Sequence, residues 1–279
     1  MTLHRLLQTD RPIIMGILNL TPDSFSDGGS YTQKGRAVQF ALQMVREGAD
    51  IVDVGGESTR PDSKRVLPEE QLRRVVDTIT ALKQTLPANI PISIDTTSSV
   101  VARAAVTAGA SIINDVRSGR DDEGIFELAA EQKLPLILMH MQGTPQTMQI
   151  NPAYSNLIKE ITDFLQEQCE KAQSYGVPKE NLIIDPGIGF GKKRAHNLEL
   201  LARLKEFAAM GYPVLLGTSR KKFMGEICAG DDPKDLIGAT CASTALGVQS
   251  GIRIFRVHDV KENRQAADVA WAINSYHRA

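Results

Sequence analysis

Short apolar runs, most of them rich in β-branched residues, recur eight times along the chain, and stretches with helical periodicity lie between them. The runs occupy residues 12–20, 50–56, 91–96, 111–116, 134–140, 182–187, 212–218 and 252–258. Between the first two, Val38, Leu42 and Val45 recur at the spacing of one helix face before Gly48 ends the pattern. This alternation predicts repeated strand–helix units that form a largely parallel sheet.

Eight such units in a chain of 279 residues predict an α/β fold, a (β/α)₈ barrel that forms a single domain over residues 1–279. No linker or low-complexity tract divides the series. An open, doubly wound sheet remains the alternative, although no GxGxxG motif follows the first run to support it.

Polar residues stand near the end of nearly every predicted strand. They are Asn19, Asp53 with Glu57, Asp95, Asn114 with Asp115, His140, Asp185, Ser219 with Lys221, and Arg256 with His258. In a barrel enzyme the carboxyl ends of the strands converge on one face, where the active site is built. The set therefore predicts a functional site at that face.

The charge balance and the cysteine content argue against several classes of protein. The 32 basic and 33 acidic residues nearly cancel, so we expect neither a nucleic-acid surface nor a membrane-binding patch. The three cysteines, Cys169, Cys228 and Cys241, have no zinc-site or disulfide spacing, which favours a reduced, cytoplasmic environment. No segment has the length of a signal peptide or of a membrane span, so we expect a soluble protein.

Several long motifs carry a resemblance to a known family. NLTPDSFSDGG, GGESTRP, SIDT, INDV, LMHMQGTPQTMQ, DPGIGFGK, GTSRKKF and FRVHDV occur in this order across nearly the whole chain. In both sequence and spacing they resemble the dihydropteroate synthase family. The resemblance implies a (β/α)₈ barrel enzyme, a transferase that joins 6-hydroxymethyl-7,8-dihydropterin diphosphate to p-aminobenzoate in folate biosynthesis, releasing diphosphate, and that forms a homodimer.

The resemblance assigns the pterin site to Asp95, Asn114, Asp185, Phe190 and Lys221. A carboxylate such as that of Asp185 can accept two adjacent N–H donors from the pterin ring edge. An internal salt bridge between Asp185 and Lys221 is the alternative. Lys222 follows Lys221 directly, so the sequence alone leaves open which lysine reaches the ring.

The resemblance assigns the diphosphate to Asn19, Arg256 and His258, with Asn19 as the magnesium contact. Mg²⁺ prefers oxygen ligands and keeps several waters, so one amide oxygen and the substrate phosphates can suffice. Arg256 and His258 are two apart on a strand and would point the same way. The alternative for this pair is a surface ion pair with Asp259 or Glu262. With Asp95, Asp185 and Lys221, Arg256 and His258 are the expected catalytic residues.

Two oxygen-rich loops, residues 21–29 and 58–68, follow the first two strands. The resemblance implies that they close over the bound pterin diphosphate and complete a p-aminobenzoate pocket. The residues of that pocket are Phe25, Thr59, Arg60, Pro61 and Ser219. Sulfonamides resemble p-aminobenzoate and would compete there.

Two other functions remain open from the sequence. One is a pterin-dependent methyltransferase that uses methyltetrahydrofolate, a group with a similar barrel and pterin site but no diphosphate to bind. The other is a non-catalytic pterin-binding paralogue. Asn19, Arg256, His258 and the two long loops favour the synthase.

Overall fold

In the computed structural model, which describes residues 3–21, 30–60, 63–230 and 232–276, eight parallel strands form a barrel. The strands are β1 Ile13–Asn19, β2 Ile51–Gly55, β3 Ile92–Asp95, β4 Ile112–Asp115, β5 Leu136–Met139, β6 Leu182–Asp185, β7 Leu215–Leu216 and β8 Ile254–Val257. Each lies inside the corresponding predicted run. The predicted (β/α)₈ barrel is confirmed.

The strands pair in the order β6-β5-β4-β3-β2-β1-β8-β7. A parallel bridge between Ile184 and Val214, with the Ile184 amide donating to the Pro213 carbonyl at 3.0 Å, joins β6 to the segment before β7 and closes the ring. The seventh strand is much shorter than its predicted run of residues 212–218. Pro213 has no amide hydrogen, which limits how far regular strand pairing can extend in that run.

Helices surround the barrel. They are α1 Leu3–Leu7, α2 Ser30–Arg46, α3 Pro68–Thr85, α4 Ser99–Ala108, α5 Gly124–Glu131, α6 Leu157–Ser174, α7 Arg194–Ala202, α8 Leu204–Ala208, α9 Lys222–Cys228, α10 Ile237–Gln249 and α11 Val260–Tyr276. None of the helices in the described part of the chain is long and apolar enough to cross a membrane.

The face of α2 that packs most closely differs slightly from the predicted one. Ala37, Ala41 and Met44 are fully buried, whereas the predicted Val38, Leu42 and Val45 are half-buried beside them. Gly16 explains the placement of Met44, because a side chain added to that strand residue would come within 2.7 Å of the Met44 sulfur. Small residues on the helix and on β1 let the two elements approach closely.

The inside of the barrel is filled from one end. Leu3 and Leu6 of α1 pack against a buried apolar layer contributed by the strands: Ile13, Met15, Ile51, Ile112, Ile137, Ile183, Leu215 and Ile254. Side chains alternate between the two sides of a strand, so residues two positions further along also face inward. The apolar layer therefore fixes which residues line the opposite, carboxyl-terminal end of the barrel.

Candidate active site

The inward-facing positions at the carboxyl ends of the strands are mostly polar. Two residues beyond the apolar layer on β2, β4, β6 and β8 stand Asp53, Asn114, Asp185 and Arg256, and Asn19 and Asp95 end β1 and β3. Strand register places Gly55 beside both Asn19 and Asp95, and Asp95 beside Asn114. The structure thus brings the predicted pterin and diphosphate residues to one end of the barrel.

Arg256 is the centre of a buried ionic network. Its Nε donates to Asp53 Oδ2 at 2.7 Å and its Nη2 donates to Asp95 Oδ2 at 2.7 Å. Asn114 Nδ2 donates to the same Asp53 oxygen at 3.3 Å. The surface-ion-pair alternative is wrong for Arg256, because Asp259 instead pairs with Arg220 through two hydrogen bonds.

The network keeps Arg256 charged although most of its side chain is buried. Burial works against the guanidinium charge, but Asp53 and Asp95 outweigh it and raise the pKa of Arg256. Burial also raises the pKa of Asp95, although Arg256 opposes that rise and Asp53 adds to it. Among the described residues these carboxylates use two of the five guanidinium N–H groups, and the other three remain for a ligand.

The Asp185 carboxylate accepts a hydrogen bond from the backbone of the turn that directly follows it. Its Oδ1 accepts the Gly187 amide hydrogen at 2.7 Å, whereas Oδ2 makes no hydrogen bond with any other described residue. Burial raises the pKa of Asp185 to about 6, while the Gly187 hydrogen bond and nearby Lys221 oppose the rise. No ion pair of 4 Å or less joins Asp185 to Lys221 among the described residues, so the internal salt-bridge alternative is not formed.

Lys221 and Lys222 have different surroundings. Lys221 is half-buried and its Nζ lies 3.8 Å from the centroid of the Phe190 ring, a cation–π contact, whereas Lys222 is exposed at the start of α9. Burial, with a smaller contribution from Arg256, lowers the pKa of Lys221 to about 8. Lys221 is therefore the lysine that faces the site.

The glycine turn, residues 187–191, positions Phe190. A side chain on Gly187 would lie 1.9 Å from the His140 carbonyl oxygen, and Gly187 has a φ of +69°. Gly189, with a φ of +83°, would place a side chain 2.9 Å from Lys221 Cδ. Only glycine allows the turn to lie this close to both neighbours.

His258 and Ser219 form a pair at the edge of the site. The Ser219 hydroxyl lies 3.0 Å from His258 Nδ1 and accepts the backbone N–H of His258 at 3.1 Å. Burial, followed by repulsion from Arg256, lowers the pKa of His258 to about 3. The imidazole is consequently neutral near pH 7 and can offer one N–H donor, but no charge.

The second long loop is described on either side of residues 61–62. Glu57, which directly precedes the loop, holds the loop's carboxyl-terminal part by accepting the Val66 amide hydrogen at 2.7 Å. Gln71 donates to the other Glu57 carboxylate oxygen at 3.1 Å. Thr59 is half-buried and Arg60 is exposed. Phe25 and Pro61 of the predicted p-aminobenzoate pocket lie outside the described residues.

Asn19 is the predicted magnesium contact. A methyl group placed on Gly55 would lie 3.4 Å from Asn19 Oδ1 and 3.8 Å from Asp95 Oδ2, so both oxygens border the same small space. Within the described ranges, no group of three or more His, Cys, Asp or Glu side chains could hold a metal ion. Asn19 Oδ1 is an oxygen donor of the type that Mg²⁺ prefers, and an ion bound to it would take its other ligands from substrate oxygens and water.

Sequence reasoning missed the functions of two residues. Asp53 was recognised only as a strand-end group, yet it holds both Arg256 and Asn114 and is fully buried. Lys192 belongs to the DPGIGFGK motif but was assigned no role from the sequence, whereas in the structure it is 3% exposed and its Nζ lies 2.9 Å from His140 Nδ1. Its position directly after the glycine turn was the only available signal.

Residues 15–258 match the pterin binding enzyme family. The dihydropteroate synthase of Synechocystis sp. is 46% identical over 263 residues, which are 94% of this chain and 90% of that protein. A Yersinia pestis dihydropteroate synthase in a sulfonamide drug complex superposes with a TM-score of 0.89 at 42% identity, covering 95% of both chains.

The Xanthomonas albilineans dihydropteroate synthase is similar in two solved structures. With 4-aminobenzoic acid it gives a TM-score of 0.89 at 42% identity, covering 95% of this chain and 94% of that one. In complex with 7,8-dihydropteroate it gives a TM-score of 0.86 at 41% identity, covering 95% of both chains.

Proposed function

The chain belongs to the pterin-binding enzyme family and, within it, to the dihydropteroate synthases, and we propose that it joins 6-hydroxymethyl-7,8-dihydropterin diphosphate to p-aminobenzoate, forming 7,8-dihydropteroate and diphosphate. The observation that carries this proposal is the division of the barrel mouth into two chemically distinct parts. Asp185 offers an acceptor with no partner among the described residues, and Arg256 retains three N–H donors. A pterin diphosphate has N–H donors at one end and phosphate oxygens at the other.

At the pterin end, ionised Asp185 accepts two N–H groups of the ring edge, one through Oδ2. Asp95 and Asn114, already oriented by Arg256 and Asp53, contact other ring nitrogens. Lys221 donates to the pterin carbonyl and ring nitrogen, and Phe190 borders the ring. The buried carboxylates, which are costly in the free protein, are satisfied when the ligand supplies donors.

At the diphosphate end, the free N–H groups of Arg256 bind phosphate oxygens, and His258 donates one further hydrogen bond. In the tautomer in which the Ser219 hydroxyl donates to His258 Nδ1, the hydrogen of the neutral imidazole is on Nε2 and is left for the ligand. Asn19 Oδ1 would hold Mg²⁺ together with the phosphates. Bound Mg²⁺ would neutralise negative charge on the leaving diphosphate.

The reaction then requires separation of charge rather than a strong base. The bond between the exocyclic carbon and oxygen breaks, with both electrons leaving on the diphosphate, and the resulting cation is delocalised into the dihydropterin. The arylamine nitrogen, which is unprotonated near neutral pH, forms the new C–N bond and releases one proton. Arg256 stabilises the departing charge in a buried site where its electrostatic effect is large.

We assign p-aminobenzoate binding to Phe25, Thr59, Arg60, Pro61 and Ser219, as the family resemblance implies. The similar Xanthomonas albilineans enzyme with 4-aminobenzoic acid and the Yersinia pestis enzyme with a sulfonamide drug support this substrate and class of inhibitor. Thr59→Ala should raise the KM for p-aminobenzoate far more than the KM for the pterin diphosphate. Equal increases for both substrates would argue against the assignment.

We also propose that the enzyme acts as a homodimer in the cytoplasm. Exposed apolar side chains on the neighbouring helices α10 and α11, among them Leu246, Val269 and Ile273, support an association surface. The cysteines Cys169, Cys228 and Cys241 are free thiols, as a reducing compartment would keep them. Sedimentation of the wild type and of Ile273→Glu tests the dimer, because a charge on this surface should shift the protein to monomer.

The deciding experiment measures conversion of the pterin diphosphate and labelled p-aminobenzoate to dihydropteroate, with Mg²⁺ and with a chelator. Asp185→Asn is compared with Asp77→Asn, an exposed aspartate on α3. We expect Mg²⁺-dependent product that is lost only in Asp185→Asn. A folded wild-type protein that binds pterin without forming product would favour the methyltransferase, or the non-catalytic paralogue if no corrinoid-dependent methyl transfer occurs either.

The magnesium assignment has its own test. Asn19→Ala should raise the Mg²⁺ concentration needed for half-maximal activity, because the substrate phosphates and water alone would then hold the ion. An unchanged Mg²⁺ requirement would show that Asn19 is not a ligand.

A further inference from the structure

Lys192 is a buried lysine with an unusual set of partners. Its Nζ lies 2.9 Å from His140 Nδ1 and donates to the carbonyl oxygens of Phe190 at 3.0 Å and of His140 at 3.4 Å. No carboxylate in the described part of the chain lies within 4 Å of this ammonium. A buried charge ordinarily has an ionic partner, so this lysine is maintained at a cost to stability.

The electrostatic surroundings of Lys192 are set by groups from several elements. Asp185 at the end of β6 favours its charge, whereas Lys221 before α9 and Arg120 after β4 oppose it. His140 does not compete for the proton, because burial and the Lys192 charge hold the pKa of its imidazole at about 2. Burial lowers the pKa of Lys192 to about 7, and Asp185 is the nearby group that counteracts it.

The backbone of the glycine turn is held by hydrogen bonds with three side chains. Asn197 Oδ1 accepts the Gly189 amide hydrogen at 2.7 Å, Tyr154 donates to the Gly191 carbonyl at 2.7 Å, and Gln149 donates to the Gly189 carbonyl at 3.0 Å. Lys192 supplies the corresponding bond to the carbonyl of Phe190. It therefore fixes the one residue of the turn whose ring contacts Lys221.

We propose that Lys192 is a positioning residue for pterin binding: it orients Phe190, and through it Lys221, and it adds its positive charge to those of Lys221 and Arg256 in the surroundings of the Asp185 carboxylate. The inference rests on the proposed function, in which Asp185 and Lys221 hold the pterin. Lys192 itself touches the backbone of the turn and the His140 ring, not the reacting atoms. Its effect should consequently fall on the pterin and not on p-aminobenzoate.

Two substitutions separate the hydrogen bond from the charge. Lys192→Met removes both, whereas Lys192→Gln removes the charge and keeps an N–H donor for the Phe190 carbonyl. Lys193→Met, at the exposed neighbouring position, is the matched control. For each full-length protein, kcat and KM are measured for both substrates across the pH range, and binding of the pterin diphosphate is measured by calorimetry without p-aminobenzoate.

We expect the affinity for the pterin diphosphate to fall about tenfold in Lys192→Met and less in Lys192→Gln, because Gln retains a donor. The KM for p-aminobenzoate should stay within about twofold of wild type. Three cations, Lys221, Lys192 and Arg256, lower the pKa of Asp185, so losing one should move the acid limb of kcat/KM upward by about half a unit in both variants.

An unchanged pterin affinity with an unshifted acid limb would overturn the inference, as would equal losses for both substrates, which indicate general loosening. If Lys192→Met does not fold, Lys192→Gln still decides the question through the acid limb. Failure of the proposed function gives a different result, because the wild type would then form no dihydropteroate. The calorimetric comparison of pterin affinity would still test Lys192 in that case.

Discussion

Asp185→Asn should make the protein more stable and almost inactive. Asp185 is 6% exposed, and burial penalises its ionisation and raises its pKa to about 6. Asparagine keeps an oxygen that can accept the Gly187 amide hydrogen, which Asp185 Oδ1 accepts at 2.7 Å. The substitution therefore removes the charge while retaining the local turn.

The magnitude follows from the difference between the folded and ordinary pKa values. Asp185 titrates at about 6 instead of 3.8, and a shift of about two units corresponds to about 3 kcal/mol. Because the folded pKa is raised, the penalty is absent below about pH 4, is about half developed at pH 5 and is complete above about pH 6. For a chain of this size, about 3 kcal/mol corresponds to a Tm increase of roughly 6 °C.

Thermal unfolding of the ligand-free wild type and Asp185→Asn at pH 7.5 and pH 5 tests this. We expect a gain in Tm for the variant at pH 7.5 that is about half as large at pH 5. In the same protein, kcat/KM for the pterin diphosphate should fall about a hundredfold, since an amide cannot accept two N–H groups as a carboxylate does. A lower Tm at pH 7.5, or an equal gain at both pH values, would refute the reasoning.

Three further outcomes follow from the site. The kcat/KM for the pterin diphosphate should fall below about pH 6, as Asp185 is protonated, and on the alkaline side as Lys192 and Lys221 lose their protons at about pH 7 and about pH 8, which a pH–rate profile measures. Lys221→Met should remove the step at about pH 8 from this profile and reduce pterin affinity about tenfold, whereas calorimetry should find Lys222→Met unchanged. Gly187→Ala should cost about 2 kcal/mol or more, measured as a fall in Tm, because its φ is positive and its new methyl group would meet the His140 carbonyl.

The barrel could be predicted because strands and helices leave different hydrophobic patterns in the sequence. Each strand is buried on both sides and is a short continuous apolar run, whereas apolar residues recur along the helices with helical periodicity. Every predicted run contains a strand, and the ends differ by a few residues at most except at the seventh. Helix α1 was not predicted, since five residues are too few to show a helical pattern. Its importance, the burial of Leu3 and Leu6 against the inner layer, depends on contacts that only the closed barrel creates.

The sequence could identify which strand ends have polar side chains, but not which of those side chains form hydrogen bonds with one another. Arg256 binds Asp53 and Asp95, which precede it by 203 and 161 positions, and no local pattern connects residues at such separations. The burial of Lys192 could not be predicted either. Lysine is almost never fully buried, so a lysine in a sequence is normally predicted to be exposed. The resemblance supplied residue roles, while the structure supplied the pairs that hold those residues.

The hydrogen bonds within the site show two kinds of polar group: those that bind one another and maintain the shape of the site, and those that remain available to substrate. Asp53 is wholly buried and joins Arg256 of β8 to Asn114 of β4, so three strands are held in register before any ligand arrives. Asp185 Oδ2 and Asn19 Oδ1, by contrast, have no hydrogen bond with other described residues. Arg256 both maintains the shape of the site and remains available to substrate. Two carboxylates hold its guanidinium group in place, and among the described residues its other N–H groups have no acceptor. A fixed cation needs little rearrangement when negative charge develops on a departing phosphate, which is the condition under which electrostatic stabilisation contributes most to rate.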